Sequence, residues 1–332
     1  MIPAILEKVG NTPLVSIIMD EFCDVNLFVK LESFNPTGSV KDRAADYILR
    51  KLLHMGEINK ETTIIESTSG NFGVALSAYC RYFGLKFIAV VDPNITSLNE
   101  MLIASNGARI IKVTDADEYG SYLLARIRKV KELKIGIGNS YWVNQYENPL
   151  NASAYYHSLG KEICFQVDEI DYVFLGVSSG GTITGVSRKI KENFPDARVI
   201  AVDVEGSVIF NGLPKKRFIP GIGSSMVPKI LASASIDEVV MTNEISSIDA
   251  CYELLERHSC FAGGSSGTVF AGIKKYFSEN DIRRPVNVVS VFPDRGERYH
   301  DTIYNKEWCN KVRNLNERKM TPMSNEPKMM GS

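Results

Sequence analysis

The feature that most restricts the fold of this chain is a repeated alternation of short β-branched runs with longer stretches whose apolar residues recur at helical spacing. Residues 62–65 read as a strand, 66–70 as a turn and 72–83 as an apolar helix. Residues 86–91, 98–106, 109–113 and 119–133 continue as strand, helix, strand and helix. Strands separated by helices run in the same direction, so the pattern predicts a parallel sheet covered by helices. Beyond a junction at 141–148 the alternation resumes with helix 152–165, strand 172–176, helix 184–193 and strand 198–203. A loop-rich interval, 205–228, centres on Pro220-Gly221-Ile222-Gly223 and precedes helix 247–258 and a last core strand, 286–292. This is enough for a second parallel sheet. Before the first unit, Pro13-Leu14-Val15 and residues 27–31 read as an antiparallel edge pair. After residue 304 the chain turns polar, which predicts a short helix and a frayed tail over 305–332.

A length of 332 residues suits two domains of ordinary size. Lys and Arg number 38 against 39 Asp and Glu, so nothing in the charge favours nucleic acid or an anionic membrane as a partner. The N-terminus lacks a basic flank followed by a long apolar run, and no stretch reaches bilayer length, which predicts a cytoplasmic protein. The six cysteines show no C-x-x-C spacing and read as reduced core thiols, and four isolated histidines predict no metal site.

Against this background the stretch Asn35-Pro36-Thr37-Gly38-Ser39-Val40-Lys41-Asp42-Arg43 places a lysine where a turn becomes a helix. A helix N-terminus disfavours an added positive charge, and partial burial would bias the amine toward its neutral, nucleophilic form, the form that makes a Schiff base. The same residues are also compatible with a solvated lysine on the first turn of a surface helix.

Ligands of parallel sheets bind outside the carboxyl ends of the strands, and three polar turns fall there. Ser67-Thr68-Ser69-Gly70-Asn71 offers N–H groups and hydroxyls to a carboxylate-sized anion, or caps its own helix. Ser178-Ser179-Gly180-Gly181-Thr182 lacks the lysine of a P-loop and the spacing of a dinucleotide fingerprint. It suits a single terminal phosphate, or is a plain flexible turn. Gly263-Gly264-Ser265-Ser266-Gly267 precedes an apolar helix predicted from Thr268, admits a flat ligand closely, and can present one serine hydroxyl.

In this order the four motifs resemble the cysteine synthase / cystathionine β-synthase family of fold-type II enzymes dependent on pyridoxal 5′-phosphate, over about residues 10–304. The resemblance implies an α/β fold of two parallel-sheet domains, like that of tryptophan synthase β, with the active site in the cleft between them. Residues 36–146 would form a smaller mobile domain, 1–35 and 147–304 a larger one, and 305–332 a tail. By the same resemblance Lys41 is the catalytic residue and holds the cofactor. Asn71 bonds the ring 3′-oxygen, Ser178, Ser179, Gly180, Gly181 and Thr182 bind the phosphate, and Ser265 meets the pyridine nitrogen. Ser67, Thr68, Ser69 and Gly70 with Gln145 and Tyr146 lie at the substrate. The implied chemistry is elimination of a leaving group from Cβ of an amino acid to an aminoacrylate, followed by addition of a second nucleophile.

The chain departs from ordinary cysteine synthases at Ser178-Ser179, at Phe72 and in Pro293-Asp294-Arg295-Gly296-Glu297-Arg298. It also carries Arg126 on helix 119–133, an arginine fork suited to phosphate or carboxylate, or else a solvated cation beside Arg128 and Lys129. These departures, with Tyr141-Trp142-Val143-Asn144-Gln145-Tyr146 and Gly206-Ser207-Val208-Ile209-Phe210, are similar to the branch that joins O-phospho-L-serine to L-glutamate as N-(2-amino-2-carboxyethyl)-L-glutamate, on the way to 2,3-diaminopropionate for siderophores and antibiotics. The resemblance also implies a homodimer. Competing readings are a cysteine synthase or O-phosphoserine sulfhydrylase, and a catalytically silent binding protein of the same fold.

Overall fold

The computed structural model of the chain describes residues 4–320. It opens with β1 (Leu14–Ile17) and β2 (Val25–Leu31), then α1 (Lys41–His54), β3 (Thr63–Ser67), α2 (Asn71–Phe83), β4 (Lys86–Val91), α3 (Ser97–Ser105), β5 (Arg109–Lys112), α4 (Leu123–Gly136) and β6 (Ser140–Trp142). The second half holds α5 (Pro149–Tyr155), α6 (Lys161–Gln166), β7 (Tyr172–Gly176), α7 (Gly181–Asn193), β8 (Arg198–Val204), β9 (Glu238–Thr242), α8 (Glu244–His258), α9 (Gly264–Glu279), β10 (Val286–Phe292) and α10 (Lys306–Met320).

Two sheets result. One has six strands in the order β1-β2-β10-β7-β8-β9, the other four in the order β5-β4-β3-β6. Every pairing is parallel except β1 with β2, which run antiparallel with Leu14 opposite Lys30. The expected α/β class and the antiparallel pair at the sheet edge are therefore present.

Several elements differ from the sequence expectation. β3 runs on through Glu66 and Ser67, which the periodicity had placed in a turn. Helix α4 starts at Leu123 rather than 119, and α9 starts at Gly264, four residues before Thr268. The helix expected over 152–165 runs from Pro149 to Gln166 and is interrupted by a π-turn at Tyr156–Gly160. The strands β6 and β9 carried no readable period, being three and five residues long. In the expected tail the helix reaches Met320, and residues 321–332 lie outside the described residues.

Local chemistry sets the helix ends that matter for the site. Asn148 caps α5 by accepting from Leu150 N at 3.0 Å, with Pro149 at the first helical position. Thr96 caps α3 through Asn99 N, and α2 stops at Gly84 in the left-handed region at φ 70°. A hydrophobic cluster joins Ile64 and Ala89 of the small sheet, Ala45 and Leu49 of α1, and Val173, Ala201 and Val289 of the large sheet. Opposite faces are covered separately, by Phe270 and Ile273 of α9 on the large sheet and Val130 of α4 on the small one. Each fully buried Leu, Ile or Val contributes roughly 1.5–3 kcal/mol by leaving water. No helix among the described residues is long and apolar enough to cross a membrane.

Candidate active site

The carboxyl ends of the strands of both sheets open onto one cavity of about 840 Å³. It is lined by Lys41, Ser67, Thr68, Ser69, Gly70, Asn71, Arg126, Gln145, Tyr146, Ser178, Ser179, Gly180, Thr182 and Ser265, all residues singled out in the sequence. Gly181 is set back from the cavity: a Cβ built there would stand 2.5 Å from the side-chain amide of Asn151 on α5. The small residue lets α7 approach α5 and brings its N-terminus to the cavity.

Lys41 is the first residue of α1. Its loop is stitched to the end of β10, with Val40 N donating to Pro293 O at 2.8 Å and Ser39 bridged to Asp294. Further along α1, the buried Arg43 guanidinium reaches Glu32 Oε2 and Glu162 Oε1, each at 2.6 Å, which fixes the helix to the six-stranded body. The Lys41 Nζ donates to no acceptor among the described residues. Burial pulls its pKa down to about 8, against the opposing pull of the Asp294 carboxylate. A solvated surface lysine is thus not what the fold provides.

The turn after β3 has the character of an anion site. Thr68 N is used by Val90 O, but the N–H groups of Ser69, Gly70, Asn71 and Phe72 donate to no backbone acceptor among the described residues. The Ser69 hydroxyl donates to Asp92 Oδ2 at 2.9 Å and accepts from Arg126 Nη1 at 2.9 Å, while Arg126 Nε faces Asp92 Oδ2 at 3.2 Å. Arg126 is therefore inside the cavity, not on a solvated face beside Arg128, and its Nη2 has no hydrogen-bond partner among the described residues. Gln145 holds the turn from behind by donating to Ser67 O at 3.3 Å.

At the second turn Gly180 adopts φ 84°, a left-handed geometry that a side chain resists, and so turns the chain into α7. None of the N–H groups from Ser179 to Ile183 has a protein acceptor among the described residues. The Ser179 hydroxyl is buried and unpartnered, and Ser178 donates to Gly223 O at 3.1 Å. Buried donors without acceptors are costly, so this cradle fits a phosphate rather than an empty turn. Ser265, on the first turn of α9, lines the same cavity, and its hydroxyl has no hydrogen-bond partner among the described residues. An amine of lowered pKa, a phosphate-sized nest and a neutral hydroxyl suit pyridoxal phosphate, which needs one of each.

Asp92 and Asp294 received no site role from the sequence. Asp92 follows β4 and Asp294 follows β10, both at carboxyl ends of parallel strands, which is where the position alone could have marked them. The stretch Pro214 to Phe218, with Lys216 and Arg217, also lines the cavity mouth. It lay in the loop-rich interval, where no period pointed to it.

Two parallel α/β sheets with a lysine at the start of the first helix in the cleft define the class of fold-type II cofactor enzymes. Residues 5–294 match the family of pyridoxal-phosphate dependent enzymes, and the chain belongs to that family. Among solved structures it is similar to an O-acetylserine dependent cystathionine β-synthase from Helicobacter pylori, at 31% identity and TM-score 0.86, covering 92% of this chain and 99% of that one. An O-ureido-L-serine synthase matches at 28% identity and TM-score 0.84 over 92% of this chain and 96% of its own. A hydrogen sulfide-producing enzyme from Fusobacterium nucleatum matches at 28% and 0.83 over 90% and 100%. The chain is thus a pyridoxal-phosphate dependent enzyme with β-replacement enzymes and synthases as its structural neighbours.

Proposed function

We propose that the enzyme replaces the phosphate of O-phospho-L-serine at Cβ by the amine of L-glutamate, giving N-(2-amino-2-carboxyethyl)-L-glutamate and phosphate. The observation that carries this reading is Arg126: held by Ser69 at 2.9 Å and by Asp92 at 3.2 Å, it has no partner for Nη2 among the described residues, and that edge can meet a phosphate leaving group in the cavity. One structural neighbour is named for its dependence on O-acetylserine, which supports an O-substituted serine as the donor.

Bound pyridoxal phosphate supplies the electron sink that loosens the Cα proton of the amino acid. In this proposal Lys41 anchors the cofactor and then, with a pKa of about 8, takes and returns that proton. The free N–H groups of Ser69 to Asn71 hold the donor α-carboxylate, and Asn71 donates to the ring oxygen. Ser178 to Thr182 hold the cofactor phosphate. Ser265 offers the pyridine nitrogen a hydroxyl, which cannot hold it protonated as a carboxylate would, and so favours elimination over transamination. Gln145 and Tyr146 close the substrate side. A homodimer, and a closing motion of residues 36–146 over the larger body, belong to the same proposal.

Sulfide in place of glutamate would give cysteine, a reaction that consumes sulfide, whereas the Fusobacterium nucleatum neighbour is named for producing it. Phosphoserine offered with glutamate or with sulfide, and products weighed by mass spectrometry, separates the two. The glutamate adduct is expected, and cysteine as the sole efficient product would overturn the assignment.

A further inference from the structure

Asp294 is 2% exposed, yet its Oδ1 has no hydrogen-bond partner in the described residues. Its Oδ2 accepts from Asn71 Nδ2 at 2.6 Å and from the Tyr299 hydroxyl at 2.7 Å. On the other side of the same amide, Arg298 donates from Nη1 to Asn71 Oδ1 and from Nη2 to Thr37 O, in the loop that carries Lys41. Tyr299 and Asp294 pack against Gly263, where a built Cβ would stand 2.0 Å from Asp294 Oδ1.

An asparagine amide can lie in two orientations related by a half-turn, and only its hydrogen bonds choose between them. Here the choice is forced by charge. A reversed amide would put its carbonyl oxygen against the Asp294 carboxylate and its NH2 against the Arg298 guanidinium, losing two charge-assisted bonds at once. Each such bond is worth roughly a factor of 10 to 100 in population. The observed orientation uses one N–H on Asp294 and leaves the second N–H of Nδ2 for the cavity.

We propose that Asp294 and Arg298 are positioning residues that lock the Asn71 amide with one N–H aimed at the ring oxygen of bound pyridoxal phosphate. The proposal rests on the role given to Asn71 above. It explains why a buried carboxylate is kept although one oxygen is unsatisfied: its task is orientation, which an apolar residue could not perform. It also explains why the segment Pro293 to Arg298 sits under the lysine loop, since one short run of chain then holds Asn71 and the approach to Lys41 in a common frame.

The test is a set of double-mutant cycles read by titrating cofactor-stripped protein with pyridoxal phosphate, together with the position of the visible band of the loaded protein. Asp294→Asn and Arg298→Met are each combined with Asn71→Ala. In the Asn71 background each should weaken cofactor binding about 5- to 30-fold and shift the band. In the Asn71→Ala background each should have little further effect. Equal losses in both backgrounds, or no loss in either, would overturn the proposal, because Asp294 and Arg298 would then act on the Lys41 loop or on nothing. If Asn71→Ala alone leaves binding and band unchanged, the assignment of Asn71 itself is wrong and the lock falls with it. Should Asp294→Asn fail to fold, the Arg298 cycle carries the same decision.

Discussion

Replacing Lys41 by methionine should stabilise the cofactor-free protein at neutral pH, because the fold holds an amine where it cannot easily be charged. Burial brings the amine from 10.5 to about 8, even with Asp294 opposing. At about 1.36 kcal/mol per pH unit this corresponds to roughly 3 kcal/mol of destabilisation wherever the amine is protonated in both states. Folding here lowers the pKa, so the penalty is complete below pH 8. It shrinks as pH rises toward 10.5, where the unfolded chain still binds a proton that the folded one has lost. An unfolding entropy of about 2.1 cal/mol/K per residue over 332 residues makes 3 kcal/mol a rise of roughly 4 °C in Tm. Thermal unfolding of cofactor-stripped parent and Lys41→Met proteins at pH 7 and pH 10.5 reads this directly. The gap should be near 4 °C at the lower pH and close to zero at the higher one. A gap independent of pH, or a variant less stable than the parent at pH 7, would refute the claim that the amine is desolvated.

Lys41→Ala should abolish turnover and the visible band of bound cofactor; an unaltered spectrum would remove Lys41 from the anchoring role. Arg126→Ala should raise KM for phosphoserine by about 10- to 100-fold while changing KM for O-acetylserine little, since only the former brings a phosphate to the guanidinium. Parallel losses for both donors in steady-state kinetics would break that link. Gly181→Ala should push α7 off Asn151, whose amide atoms lie 2.5 Å from the added carbon, costing about 1–3 kcal/mol and weakening cofactor binding in an apoprotein titration. Unchanged affinity would show that the α5–α7 contact does not set the cradle.

What could be read from the sequence was whatever a short window decides. The runs around Ile64, Phe87, Val173 and Val199 alternate with helical stretches, and that was enough for two parallel sheets. The Lys41 loop, the turn at Ser67 to Asn71 and the cradle at Ser178 to Thr182 are contiguous, so each announced itself. β9 was hidden because Glu238 to Thr242 follows a long irregular interval and has only five residues in which to show a period. The start of α9 was hidden by three glycines, 263, 264 and 267, which are poor helix formers but are tolerated because their neighbours leave no room for a side chain: at Gly267 a Cβ would meet Cys251 Sγ at 2.3 Å. Packing overrode propensity there, and packing is not visible in a window.

The same distinction governs the reactivity of the site. The motif around Lys41 says only that an amine stands at a helix start, and a helix start is usually wet. What surrounds the amine is supplied from far along the chain: Pro293 accepts from Val40, Asp294 is near enough for its charge to act on the amine, and Arg298 donates to Thr37 and Asn71 across a sequence separation of more than 220 residues. Buried charges at such separations are expensive and are kept only where geometry repays them. Here the carboxylate pulls the lysine pKa up while burial pulls it down, leaving it at about 8 instead of lower. An amine with that value is neutral often enough to attack and basic enough to carry a proton at neutral pH. The lysine was legible because it is local, whereas its usefulness was not, because it depends on the closure of the whole six-stranded body beneath it.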